Sequence, residues 1–236
     1  MFEKLINRMC IVKKRITKEN YGRCFVINSI LVKKRKAHYL EIGVRKGTTI
    51  VRVDADYKVG VDPVLQLEKL VPKLKRKLKR SKNITFYEEE SDTFFRHNDL
   101  KFDVILIDGL HVYEQALRDI VNALNCLNDK GFVVVHDCNP QSEKAQSRTE
   151  IKGLWNGDVW KAIYAIKIHY EKINYFILDT DHGLGILTKQ DNKEKYTYQH
   201  DERILHLPYN ALAKDRKNIL NLQKKEEFFD FLKTLN

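Results

Sequence analysis

The feature that most constrains this chain is the stretch Tyr39-Leu-Glu-Ile-Gly-Val-Arg-Lys-Gly47, followed by Val59-Gly-Val-Asp-Pro63. An apolar strand runs through Glu41 into two glycines, Gly43 and Gly47, and a new segment opens at Thr48. Glycine at a strand-to-helix turn lets the backbone approach a ligand closely, because no Cβ stands in the way. About 20 residues further on, a second apolar strand ends in Asp62, where a carboxylate can accept both hydroxyls of a ribose. The pair implies a nucleoside cofactor. A dinucleotide fingerprint, G-x-G-x-x-G, is excluded: counting from Gly43, its second and third glycines are replaced by Arg45 and Thr48. No G-x-x-x-x-G-K-[ST] phosphate loop occurs either. What remains, E-x-G-x-x-x-G, accepts a nucleoside without a pyrophosphate.

Beyond an N-terminal helical region (roughly 2 to 36), short apolar strands alternate with helical patterns. Strands are expected near 38–43, 58–62, 84–88, 103–108 and 131–136, and helices near 47–55, 65–80, 92–99, 113–127 and 155–172. This alternation predicts an α/β fold with a parallel sheet covered on both faces. Tyr175 to Thr188 reads as two strands around an Asp-His-Gly turn, in which Asp181 and His182 only make the hairpin. Residues 190–236 are polar and then helical, over 211–222 and 224–235. The expected organisation is a single domain over 1–236: an N-terminal helical region (1–37), a cofactor-binding core (38–188) and a C-terminal helical extension (189–236).

The 236 residues suit one such domain, and 43% hydrophobic residues are ordinary for a globular protein. No apolar run reaches transmembrane length. The charged, amphipathic N-terminus is unlike a secretory signal. Four scattered cysteines, Cys10, Cys24, Cys126 and Cys138, read as free thiols of a reducing compartment, so the expected location is cytoplasmic. The net charge of +11 is concentrated in Lys33–Lys36 and in Lys73–Lys82. In the second cluster Leu67, Leu70, Leu74 and Leu78 fall at helical spacing, one apolar face with basic residues around the rest. That pattern is either a solvated outer helix or an attraction for nucleic acid, anionic glycan or phospholipid headgroups. It lacks the interleaved aromatics of a single-strand binder.

The glycine turn resembles motif I of the class I S-adenosylmethionine-dependent methyltransferases, whose glycine loop underlies the methionine part of the cofactor and whose next strand-end acid binds the ribose. Phe86 to Phe95 is similar to that family's third strand and turn, Phe102 to Tyr113 to its fourth strand and loop, and Gly131 to Pro140 to its fifth. The similarity covers about residues 38 to 188 in the family's order. "IDGLHVYE" and "VVHDCNP" most resemble the small O-methyltransferases of sugar and natural-product pathways, relatives of the macrolide-sugar methyltransferases. One departure is Arg45, where many members carry another glycine at the lip of the cofactor site. The resemblance implies a Rossmann-like seven-stranded sheet with an antiparallel last strand, and S-adenosyl-L-methionine as cofactor. Glu41, Gly43, Gly47, Asp62, Glu90, Ser91 and Asp108 would surround it, with Glu90 and Ser91 beside the adenine. The local alternatives are a turn aspartate at Asp62 and a locally paired charge at Glu41.

Methyl transfer is an in-line displacement, so alignment of the nucleophile is the main task. A sugar hydroxyl also needs a general base or an acidifying metal. His111, three residues past Asp108, is the first candidate for the base, since histidine titrates in the useful range; otherwise it orders the loop. Asp137, beyond the fifth strand, is the second catalytic candidate. Asp108 and Asp137 also match two of the carboxylate positions of metal-dependent members, which points to a divalent cation such as magnesium. The third oxygen donor is missing beside Asp137, where His136 and Cys138 stand, although Asn139 is close. Trp155 and Asp158, after the fifth strand, are candidates for the acceptor pocket, as an aromatic wall and a polar contact.

Three functions therefore compete: an O-methyltransferase for a sugar or other small polar acceptor in glycan or natural-product biosynthesis, an RNA methyltransferase, and a catalytically silent cofactor-binding partner. No Asn/Asp-Pro-Pro-Tyr motif and no RNA-binding module favours the second. The expected partners are a small-molecule or glycan acceptor, no specific nucleic acid, and at most weak contact with an anionic membrane surface. A homo-oligomer is left open.

Overall fold

A computed structural model describes residues 22–81 and 83–235. The N-terminal readings up to residue 21, with Cys10, and the end of the basic cluster at Lys82 lie outside the described residues. The first described element is helix α1 (Arg23–Leu31), followed by β1 (His38–Ile42), β2 (Tyr57–Val61), α2 (Pro72–Arg80), β3 (Ile84–Tyr87), α3 (Ser91–His97) and β4 (Phe102–Ile107). Then come α4 (Tyr113–Asn125), β5 (Leu127–Val135), α5 (Val159–His169), β6 (Ile173–Leu178), β7 (Leu184–Lys189), α6 (Glu202–Leu205), α7 (Tyr209–Leu220), β8 (Leu222–Gln223) and α8 (Phe228–Thr234).

The strands form one sheet in the order β3-β2-β1-β4-β5-β7-β6-β8. β1 to β5 are parallel, and β7 runs antiparallel to both β5 and β6. The expected seven strands become eight, because β8 adds a two-residue parallel edge to β6. Side chains on a strand point alternately to its two faces, and both faces here are apolar, as a covered parallel sheet requires. Leu40, Ile42, Ile105, Ile107, Val133 and Val135 join one core cluster with α4, α5 and α7. Tyr39, Val104, Leu106, Phe132 and Val134 join the other, with α1, α2 and Phe228 of α8.

One expected helix is replaced by turns and another starts late. Residues 45–52 form a run of turns, not a helix. Arg45 (φ 46°) and Gly47 (φ 73°) adopt left-handed backbone, and the β-branched Thr48-Thr49-Ile50-Val51 run is a weak helix former. The buried Lys58 ammonium donates to the carbonyls of Ile50 (3.1 Å) and Val53 (2.7 Å), satisfying the end of this turn. The helix expected over 65–80 starts only at Pro72, after a single 3₁₀ turn at Leu67–Lys69. A residue before proline is pushed to extended backbone, and Val71 has ψ 149°. α2 buries Leu74 and turns its basic side chains outward, which matches the apolar face read from the leucine spacing.

Candidate active site

A cleft opens beyond the carboxyl ends of the parallel strands, where ligands of open α/β sheets bind. Among its lining residues are Glu41, Gly43, Asp62, Glu90, Ser91, Asp108, His111, Asp137 and Trp155. Over β1 to β3 its shape is set by backbone. Gly43 (φ 90°) lies so close to the turn after β4 that a Cβ would stand 2.0 Å from the Asp108 carbonyl oxygen. Asp62 accepts from the backbone N–H of Arg45 (2.7 Å) and Val64 (2.8 Å), holding the two turns together. Each of its oxygens keeps a further lone pair for a ligand hydroxyl. Glu41 is buried and accepts from the Tyr39 hydroxyl at 2.8 Å. Burial pushes its carboxyl up to about 8, against the pull of that hydrogen bond.

Beyond β3, Gln115 Nε2 donates to Ser91 Oγ (3.1 Å) and to Asp119 Oδ1 (3.0 Å). Burial pushes the Asp119 carboxyl up to about 7, although Ser91 and Gln115 both stabilise its charged form. Glu90 lies at the start of α3 and lines the same part of the cleft.

Over β4 and β5 the cleft is built from facing charges. His136 Nδ1 lies 2.6 Å from Asp137 Oδ2 and 3.1 Å from Asp108 Oδ1, and its Nε2 is 3.5 Å from Asp181 Oδ1. Burial alone would disfavour the imidazolium, but the three carboxylates overcome it and hold His136 protonated well above the usual histidine range. Arg23, the first residue of α1, donates through its guanidinium to Asp108 and contacts Asp181 at 3.2 Å. Burial works against ionisation of Asp108 and Asp181, yet His136 and Arg23 keep both carboxyls below their ordinary range. His111 Nε2 faces this cluster, 3.3 Å from Asp137 Oδ2 and 3.9 Å from Asp108 Oδ1. Its ring stacks on Trp155, with centroids 4.6 Å apart. Asp137 has left-handed backbone (φ 62°), a conformation that short polar residues tolerate, and Asn156 Nδ2 donates to its Oδ1 at 3.1 Å.

Three expected residues stand elsewhere than their proposed roles need. Gly47 does not line the cleft; its positive φ and the 2.8 Å approach of Leu67 to its would-be Cβ account for the glycine. Asp158 is buried outside the cleft, accepting from the Tyr113 N–H (2.7 Å) and Arg148 Nη1 (2.9 Å), so it caps α4 instead of facing an acceptor. Asn139 turns from the carboxylates to Arg216 and donates to Asp179 at 3.0 Å. Cys138 is a fully buried strand-end residue whose thiol burial pushes up.

Asp181 and His182 do more than turn a hairpin. β6 runs parallel to β5, so the β6–β7 turn must emerge on the ligand rim, and there Asp181 meets Arg23 and His136 while His182 Nδ1 lies 3.8 Å from Asp137. The antiparallel last strand that the resemblance implies was the signal for them, since it returns the β6–β7 turn to the ligand rim. Arg23 had no such signal, being a lone arginine ahead of the core.

In the first half of the rim the carboxylates of Asp62 and Glu90 line a space beside the point where Gly43 lets the turns after β1 and β4 pack together, a setting suited to a nucleoside. A divalent cation has a donor set in the second half: Asp108, His111 and Asp137 offer one ligand atom each, all within 4.8 Å of one another. Two carboxylates and an imidazole suit a borderline cation better than magnesium, which prefers oxygen throughout.

Residues 40–138 match a family model described as a methyltransferase domain. No curated protein matches the sequence. Solved structures with a similar fold include the O-methyltransferase TomG from Streptomyces achromogenes, involved in tomaymycin synthesis and in complex with SAM, at 12% identity and TM-score 0.53, covering 70% of this chain and 79% of that one. An SAH-bound methyltransferase from Podospora anserina is 14% identical at TM-score 0.54, covering 79% and 88%. An O-methyltransferase from Bacillus cereus in complex with SAH is 10% identical at TM-score 0.52, covering 79% and 90%. At these identities the likeness is one of fold.

Proposed function

We propose, for a chain that carries a class I S-adenosylmethionine-dependent methyltransferase domain, that it methylates a hydroxyl oxygen of a small polar acceptor, a sugar in glycan or natural-product assembly. When bound, the cofactor supplies an electrophilic methyl group on a sulfonium. The chain's own part is to seat the nucleoside over β1 to β3 through Asp62 and the Ser91–Gln115–Asp119 group, and to present an acceptor hydroxyl to His111. The observation that carries this reading is His111 Nε2 in the cleft wall, backed by Asp137 at 3.3 Å and Asp108 at 3.9 Å. A proton taken from the acceptor turns the neutral His111 ring into an imidazolium, which the two carboxylates stabilise. Trp155, stacked on His111, fixes the ring plane and offers an apolar wall to a sugar face.

Asp108, His111 and Asp137 would also hold a divalent cation, which would acidify the acceptor hydroxyl when bound. The two readings separate experimentally. A scan of nucleotide sugars and glycans for cofactor-dependent methylation, with and without chelator, tests both. Base catalysis predicts turnover that survives chelation and is lost in His111→Ala. Metal catalysis predicts loss on chelation and recovery with manganese or zinc. Failure of every hydroxyl acceptor, with methylation of RNA or protein instead, would refute the proposed acceptor class.

A further inference from the structure

We propose that α2, with the connection that leads into it, is a docking surface for an anionic lipid bilayer. From Lys69 to Tyr87 the chain has eight lysines and arginines and not one aspartate or glutamate. In α2 the apolar side, Leu74 and Leu78, packs on the core. Along one flank Lys73, Arg76, Lys77 and Arg80 are all exposed, their spacing of three and four residues sets them in one stripe, and its Lys73 and Lys77 edge borders the cleft. None of the four has an acidic partner among the described residues.

Fold stability does not account for this stripe. Lys77, Lys79 and Arg80 occupy the last turn, where cations complement the helix dipole. Lys73 and Lys75 stand in the first turn, where the dipole disfavours them and acids are absent. The like charges at Lys73/Lys77 and Arg76/Arg80 also repel across one turn. A surface that concentrates unpaired positive charge against these local preferences fits an anionic partner.

The neighbouring apolar groups select which one. Val64 and Val71, in the connection between β2 and α2, are 58% and 56% exposed. Cations flanking exposed aliphatic side chains match the headgroup and acyl boundary of a bilayer, where the charges meet anionic lipid and the aliphatics insert. A single-stranded nucleic acid would use aromatic platforms for its bases, and residues 63–81 contain no aromatic residue. The surface stands whatever reaction the cleft performs.

Flotation of the full chain with phosphatidylcholine vesicles, with and without phosphatidylglycerol, tests the proposal. The expected result is binding only to the phosphatidylglycerol vesicles, falling as salt is raised. Each outward cation contributes about fivefold to partitioning. The triple variant Lys73→Glu/Arg76→Glu/Arg80→Glu should therefore bind at least about 100-fold more weakly, with unchanged circular dichroism. Arg76→Gln/Arg80→Gln adds no acid and keeps good helix formers, and it should bind at least about tenfold more weakly even if the triple variant fails to fold. Val71→Ser should weaken binding several-fold. No flotation with phosphatidylglycerol, equal flotation with phosphatidylcholine alone, or undiminished binding by the glutamine variant overturns the proposal. Tighter binding of a labelled poly(U) strand than of the vesicles, at physiological salt, overturns it in favour of nucleic acid.

Discussion

The two halves of the ligand rim are built differently. Above β1 and β2 the motif residues engage their own backbone: Gly43 lets the turn touch the Asp108 carbonyl, and Asp62 ties Arg45 to Val64. Above β4 and β5 side chains from four segments face each other, with Asp108, Asp137 and Asp181 around the His136 imidazolium and Arg23. The first half is a shape and the second is an electrostatic device. A shape made by glycines and a turn carboxylate is written in a few adjacent positions. A charge cluster assembled from distant segments depends on the whole sheet.

If this contrast is right, damage to the second half should affect turnover and damage to the first should affect cofactor binding. The largest effect is expected at His111: alanine there should lower kcat by about 10²–10⁴, the usual worth of a general base, with cofactor affinity by calorimetry unchanged. Equal loss of cofactor affinity would break the division between the halves.

Asp181→Asn comes next. Its carboxyl is held below the ordinary range, so its contribution to stability is present above the unfolded value and lost as pH falls. The variant should be about 1.5–3 kcal/mol less stable than the parent at neutral pH, the scale of hydrogen bonds to charged groups. The deficit should shrink below about pH 4. Denaturant melts across pH would show it, and a deficit independent of pH would mean that the ion pairs contribute nothing.

Asp62→Ala should weaken binding of S-adenosylmethionine by about 1–3 kcal/mol and leave the protonation of the His–Asp cluster untouched. Tight binding of NAD with no binding of S-adenosylmethionine would remove the basis of the first half altogether.

The smallest effect is expected at Glu41. Its carboxyl is raised to about 8, so its contribution to stability is full below the ordinary carboxylate value and is lost as pH rises towards 8. Glu41→Gln should match the parent near pH 5. Near pH 9 it should be more stable, by on the order of 1 kcal/mol after the site relaxes. Greater stability of the parent at alkaline pH would show that Glu41 is charged and paired, making this half an electrostatic device as well.

Much of the fold was legible because burial on two faces leaves a continuous apolar signature: β1, β2, β3, β4 and β5 fall within a few residues of their expected spans. Where the reading failed, local chemistry had outweighed periodicity. Pro72 forced the late start of α2, and left-handed backbone at Arg45 and Gly47 replaced a helix with turns. Asp158 looked like a pocket residue beside two tryptophans. It is a buried cap because α4 begins where its carboxylate reaches the Tyr113 N–H, a pairing 45 positions apart.

By itself the sequence determined the parallel sheet, the glycine turn with Asp62 downstream, and the presence of Asp108, His111 and Asp137 at strand ends, since each follows from hydrophobic period or from residues close along the chain. Only the tertiary structure decided that Arg23, His136 and Asp181 enclose those residues, that Asn139 and Asp158 serve the scaffold, and that His111 lies against Trp155. Such contacts join segments up to 158 positions apart. They depend on the strand order that brings the β6–β7 turn and the start of α1 to one rim, and no local pattern encodes that order.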